Sequence, residues 1–150
     1  MKCLAAIALL LLSAHAMADL PDTPVTLRSG EQPSSMNFYP DDSIRAREQG
    51  VATGRVTISS TGEPRNAVID TSSGSKTLDQ YGLMYATHLR WLPATHNGKP
   101  YEVTINVRVT WTLWIAPAMT GAGQKRLKGD TKLEWQMPPA VSPKLLGETS

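Results

Sequence analysis

The chain has 150 residues, 41% of them apolar, and a formal net charge of +2. That length sets one domain with one core as the expectation, and so weak a charge gives no support to nucleic-acid or polybasic membrane binding. The only cysteine, Cys3, stands at the extreme N-terminus, which excludes a disulfide framework and leaves packing to hold the domain.

Residues 1–18 read as a secretory signal peptide. Lys2 supplies the positive start, residues 4–12 the apolar stretch, and Ala16-Met17-Ala18 a small-x-small cleavage site, with Ala14-His15-Ala16 a second candidate. The apolar stretch falls short of the ~20 residues that a spanning helix needs. A soluble, exported protein is expected, with an inner-membrane anchor as the alternative if the signal is not cleaved.

Residues 19–37 are polar, carry Pro21, Pro24 and Pro33, and predict a flexible leader. Phe38, Tyr39 and Pro40 mark an entry into structure. Asp41, Asp42 and Ser43 open a short helix through Glu48, closed by Gly50. Residues 51–59 then alternate, with Ala52, Gly54, Val56 and Ile58 on one face, and a turn at Ser60-Thr61-Gly62 leads to a weaker strand ending near Thr71. Pro64 confines the start of that strand to an edge or a bulge.

A second helix follows. Thr77 and Gln80 fit a capping box, Leu78, Tyr81, Tyr85 and Leu89 lie near one face, and Pro93 stops a helix expected to reach about Trp91. Asn97-Gly98 supplies a turn. Residues 101–113 then alternate strictly, Tyr101, Val103, Ile105, Val107, Val109, Trp111 and Leu113 facing one way and polar residues the other. This is the pattern of a half-buried antiparallel strand. At ~3.3 Å per residue it spans about 43 Å, against about 30 Å for residues 51–59, so part of its edge is expected to lack a partner. A twist, a bulge, or Trp114 and the tail are the alternatives that would cover it. Residues 116–150, rich in glycine, proline and basic side chains, predict a mostly disordered tail in which only the surroundings of Trp135 are candidates for order.

The expected fold is α+β, a small antiparallel three-stranded sheet packed against helices in the order α-β-β-α-β. Its boundaries are 38–115. Chemistry finds little support. Ser73-Gly74-Ser75-Lys76 has the Ser-x-x-Lys spacing of serine acyltransferases without their partner motifs. His88 and His96 have no acidic residue at a metal-ligand spacing. No enzyme activity, cofactor or metal is expected.

The ordered set of Tyr39-Pro40, Gly50, Val56 and Ile58, Gly62, Ser72-Ser73-Gly74, Leu78-Asp79, Arg90-Trp91, Pro93-Ala94, Asn97-Gly98-Lys99-Pro100 and the final strand resembles the C-terminal domain of TonB-family energy transducers over residues 38–113. Pro64, Tyr81, Gly82 and Leu89 depart from that family's usual residues. The resemblance is to a member without the usual membrane anchor and Pro-rich spacer. It implies a periplasmic binding module, linked to TonB-dependent transport, that engages an extended segment of an outer-membrane receptor or envelope partner by strand addition to the last strand. Tyr39, Pro40, Asn106, Val107, Arg108 and Val109 are the partner-binding residues it points to. A homodimer through the same edge competes. The alternative is a structural or accessory envelope protein that uses the fold for dimerisation or peptide docking.

Overall fold

The computed structural model describes residues 22–30, 32–116 and 126–138; the signal-peptide stretch lies outside them. Strand β1 (Thr26–Leu27) comes first, then a 3-10 turn (Ser35–Phe38) and helix α1 (Asp41–Arg45). β2 (Gly50–Ile58), β3 (Pro64–Thr71) and helix α2 (Lys76–His88) follow. Then come β4 (Trp91–Leu92), β5 (Ala94–His96), β6 (Lys99–Tyr101), β7 (Val103–Ala116) and β8 (Arg126–Gln136).

The main sheet is antiparallel throughout, in the order β3-β2-β7-β8, with two-stranded pairings β1-β4 and β5-β6 beside it. The α+β class therefore stands, but the three-stranded sheet expected from sequence is corrected to four strands plus two small ladders. The β5–β6 ladder lies between α2 and β7, and the other additions draw on both ends of the chain. Residues 126–136, read from sequence as part of a mostly disordered tail, pair along β7 from Asn106↔Gln136 to Ala116↔Arg126. Likewise the expected flexible leader is tied down: Thr26 and Leu27 pair with Leu92 and Trp91, Thr23 and Thr95 exchange backbone bonds of 3.1 and 3.0 Å, and Val25 is buried in the core. Gln32 clasps this segment, donating to the carbonyls of Arg28 and Arg90 at 2.7 and 2.8 Å and accepting from the Arg90 N–H at 3.0 Å.

The remaining differences have local causes. α1 stops at Arg45 because Arg47 turns into the left-handed region at φ 58°. Beyond it the Glu48 carboxylate is taken by the hydroxyls of Ser43 and Ser75 at 2.6 and 2.9 Å. At α2 the cap is Ser75, whose Oγ accepts from the Leu78 N–H, so the capping box expected at Thr77 is not the one used. Asp79 supports the same turn, accepting from the Ser73 N–H at 2.8 Å and from the hydroxyls of Ser72 and Ser73. The helix ends at His88, since Leu89 is extended and Trp91 belongs to β4. The long strand starts at Val103, with Tyr101 left exposed in β6 across the Asn97-Gly98 turn. Both turn residues have positive φ, as a two-residue hairpin loop demands.

α2 lies on one face of the sheet, over the inward rows Ala52, Val56 and Ile58 of β2 and Ile105, Val107, Val109 and Trp111 of β7, all buried together with Leu78, Tyr85 and Ala86. Tyr81, expected on the buried face, is only half-buried; the close contact is Gly82, where an added Cβ would stand 2.7 Å from Trp111 Cη2. A side chain there would push the helix off the sheet.

Candidate partner-binding site

β7 is a central strand. On one side Arg55, Gly54, Thr53 and Ala52 of β2 stand opposite Asn106, Val107, Arg108 and Val109. On the other, Gln136, Trp135, Glu134 and Leu133 of β8 do. The overhang expected from strand lengths exists on the β2 side, because β2 pairing ends at Gly50↔Trp111 while β7 runs on to Ala116, whereas β8 occupies the opposite edge of β7. Between Val103 and Ile105 alone, β7 extends past its described pairing with β8.

The six residues singled out from sequence are placed as follows. Val107 and Val109 point into the core. Asn106 and Arg108 lie on the outer face, where with Thr53, Asp70, Glu134 and Gln136 they line an open depression of about 540 Å³. Charge there is mixed. Arg55 holds Asp70 in a fork, Nε to Oδ2 at 2.9 Å and Nη2 to Oδ1 at 2.8 Å, and this bonding keeps the Asp70 carboxyl below its ordinary range. Glu134 is lowered by its bond from Lys132, with Arg108 adding to the effect. Tyr39 and Pro40 are buried. The Tyr39 ring lies against Gly129 of β8, so close that an added Cβ would stand 2.3 Å from Cδ2, and its hydroxyl donates to the Glu48 carbonyl. Burial, with the Glu48 charge nearby, pushes that hydroxyl's pKa up.

Both parts of the expected site therefore meet β8: residues 106–109 along its backbone and Tyr39 across its face. β8 is further held by Trp135, whose ring packs edge-on against Trp91 at 5.4 Å and whose Nε1 donates to the Val25 carbonyl at 3.3 Å. The middle of the ladder fits less well. Trp111 and Thr131 stand directly opposite each other, and the Trp111 Nε1 and the Thr131 Oγ1 are both buried without a hydrogen-bond partner. A buried polar group left unpaired costs about 1–3 kcal/mol.

β8 was missed in the sequence. A usable signal was the alternation of Arg126, Lys128, Asp130, Lys132, Glu134 and Gln136 with Leu127, Gly129, Thr131, Leu133 and Trp135, hidden because two inward positions are glycine and threonine.

The rejected chemistry has structural explanations. Ser73 Oγ donates to Asp79 at 2.7 Å and Ser75 is the cap of α2, so the Ser-x-x-Lys spacing belongs to a helix start. His88 Nδ1 lies 2.7 Å from the Met84 carbonyl, and His96 Nδ1 pairs with Asp22 at 2.9 Å. Among the described residues no group of three or more His, Cys, Asp or Glu side chains is arranged to hold a metal.

A helix across one face of an antiparallel sheet, with the last strands as its most extensive ladder, defines a small α+β domain. Residues 36–113 match the family described as Gram-negative bacterial TonB protein C-terminal, and over half of the chain is thereby covered: it belongs to that family. Domains of this family are typically periplasmic and interact with outer-membrane receptor proteins. Neither a curated protein nor a solved structure matches the chain. The family match ends at Leu113, before β8 begins.

Proposed function

We propose that this chain is an exported periplasmic module that engages an extended segment of an outer-membrane receptor or envelope partner by strand addition to β7, with β8 giving way to the incoming strand. The observation that carries the reading is the Trp111–Thr131 mismatch in the middle of the β7–β8 ladder. β7 accepts a strand along this edge, and the strand now in place leaves two polar groups unsatisfied. A segment that presents a partner to the Trp111 N–H, or an apolar side chain where Thr131 stands, gains what β8 lacks. Asn106 and Arg108 then line the outer face beside the incoming strand, and Tyr39, freed from Gly129, packs on it. Export rests on the signal-like residues 1–18, and no helix among the described residues is long and apolar enough to cross a membrane.

A second reading, self-association or docking at the free side of β8, is favoured by one feature: in the strand order β3-β2-β7-β8 the outer edge of β8 has no strand beside it among the described residues. Its Lys128, Asp130, Lys132 and Glu134 are the kind of charged side chains that protect an edge from such pairing.

One experiment separates the two. Cysteines at Thr110 and Lys132, which are paired across the ladder, are joined directly or by a short thiol-reactive linker, and binding of a receptor-derived peptide is measured by calorimetry before and after release of the link. Strand exchange requires that linking abolish binding and that release restore it. Binding that survives the link moves the site to the free edge of β8. A folded protein that binds no receptor segment in either form ends the proposal.

A further inference from the structure

Beyond Trp111 the β7–β8 ladder leaves β2 behind and continues as a two-stranded ribbon, Thr112↔Asp130 to Ala116↔Arg126. The Leu113 N–H still donates to Gln49 Oε1 at 2.9 Å, and Tyr39 covers Gly129, so the body supports the ribbon to that point. Past it, Trp114 projects from one face and Ile115 from the other, 45% and 62% exposed. They are the only adjacent pair among the exposed large apolar residues of the described chain. Leu127, opposite Ile115, is half-buried, and Lys128, opposite Trp114, holds its ammonium 5.7 Å over the indole. Arg126 stands opposite Ala116.

Charge adds a second observation. Although the whole chain is nearly neutral, no acidic residue occurs between Glu102 and Asp130, a stretch that contains Arg108, Lys125, Arg126 and Lys128. The end of the ribbon is thus one-signed and apolar on both faces.

We propose that the end of the β7–β8 ribbon, Trp114, Ile115, Leu127, Arg126 and Lys128, is a contact site for an anionic lipid surface. A protein groove covers one face of a ribbon and leaves the other in water. The interfacial layer of a bilayer covers both. It takes up a tryptophan at headgroup depth with an aliphatic side chain beside it, while Arg126 and Lys128 keep their stems on the apolar surface and their charges among lipid phosphates. The phosphate charge complements the cations, and binding weakens with salt because exposed charges are screened within ~10 Å at 0.1 M ionic strength.

The test uses the exported chain as recovered, with sedimentation on phosphatidylethanolamine vesicles containing phosphatidylglycerol and on pure phosphatidylcholine vesicles. Binding to the first and not the second is expected. The double variant Trp114→Ser with Ile115→Ser, and Lys128→Glu alone, are each expected to weaken partition about tenfold or more while thermal unfolding shows an intact fold. Quenching of tryptophan fluorescence by brominated lipid is expected in the parent and lost in Trp114→Phe. If the double variant does not fold, Lys128→Glu and the quenching decide. Equal partition into both vesicle types, or partition unchanged in the variants, overturns the proposal. So does a parent protein that forms a dimer which the double variant abolishes, with no vesicle binding, since the patch then belongs to a second copy of the chain.

Discussion

Replacing Thr131 by valine keeps the shape of the side chain and removes its hydroxyl. Thr131 is 2% exposed, stands opposite Trp111, and its Oγ1 has no hydrogen-bond partner. In the unfolded chain that hydroxyl is hydrated, so folding leaves about 1–3 kcal/mol of desolvation uncompensated. Thr131→Val is therefore expected to stabilise the fold by an amount in that range, seen as a higher urea midpoint at unchanged slope and a melting temperature raised by several degrees. The same substitution acts on function. If an incoming strand must replace β8, tightening β8 by about 1–3 kcal/mol weakens the partner by about 5- to 150-fold. Calorimetric titration of a receptor-derived peptide beside urea unfolding reads both quantities in one protein. A variant that is no more stable than the parent refutes the unsatisfied hydroxyl. One that is more stable but binds as well as the parent refutes strand exchange.

Gly82→Ala places a Cβ 2.7 Å from Trp111 Cη2, and the overpacking should destabilise the domain by about 1–3 kcal/mol in urea unfolding. Val107→Asp, at a position 4% exposed, should cost several kcal/mol by burying an unpaired charge, whereas Thr110→Asp, half-buried and opposite Lys132, should be mild in the same assay. At Asp79 burial acts to raise the pKa and the bonds from Ser72 and Ser73 outweigh it, so the folded value lies below the ordinary one. Its stabilising effect is then complete above the unfolded value of about 3.9 and fades as pH falls through the lower folded value; Asp79→Asn should flatten that acid limb in a pH series of thermal melts.

Side-chain periodicity made the centre of this fold legible. The inward row of residues 101–113 is the buried row of β7 from Ile105 to Trp111, flanked by the partly buried Val103 and Leu113, while the Asn97-Gly98 hairpin places Tyr101 on the surface. Ala52, Val56 and Ile58 read correctly for the same reason. The misses lie where backbone bonding rather than apolar pattern makes the structure. β8 completes a ladder with N–H and C=O groups that every residue carries, and its Gly129 is there to receive the Tyr39 ring, a requirement set by a residue far away in sequence. The N-terminal segment is similar: Val25 is the one fully buried apolar side chain among its described residues, and Gln32 holds it through backbone carbonyls of Arg28 and Arg90. The cap of α2 is Ser75 rather than Thr77, and the Ser75 hydroxyl also donates to Glu48 of a different segment, a link the local pattern does not show. The strand that carries the candidate site was legible in the sequence, and its pairing with β8 was not.

Strand exchange also makes a demand on what remains when β8 leaves. Of the inward residues of β8, the buried ones, Gly129 and Thr131, are small, Leu133 and Trp135 are only partly buried, and Leu127 lies on the protruding ribbon. The most deeply buried large side chains, Trp91, Trp111, Ile58, Leu78, Ile105, Val25 and Val56, all belong to the rest of the chain. A chain ending after Ala116 should therefore fold, at reduced stability because Trp91 loses the Trp135 ring, while the β7 edge from Asn106 onward loses its partner. An open edge with Trp111 beneath it recruits the nearest strand available. The truncated chain is accordingly expected to form a concentration-dependent dimer in sedimentation velocity, and to bind a receptor-derived peptide more tightly than the full chain, with the peptide dissolving the dimer. A truncated chain that is unfolded by circular dichroism would show β8 to be indispensable to the fold, and a partner could then not displace it. A folded monomer that binds peptide no better than the full chain would show that the edge of β7 accepts no strand but its own.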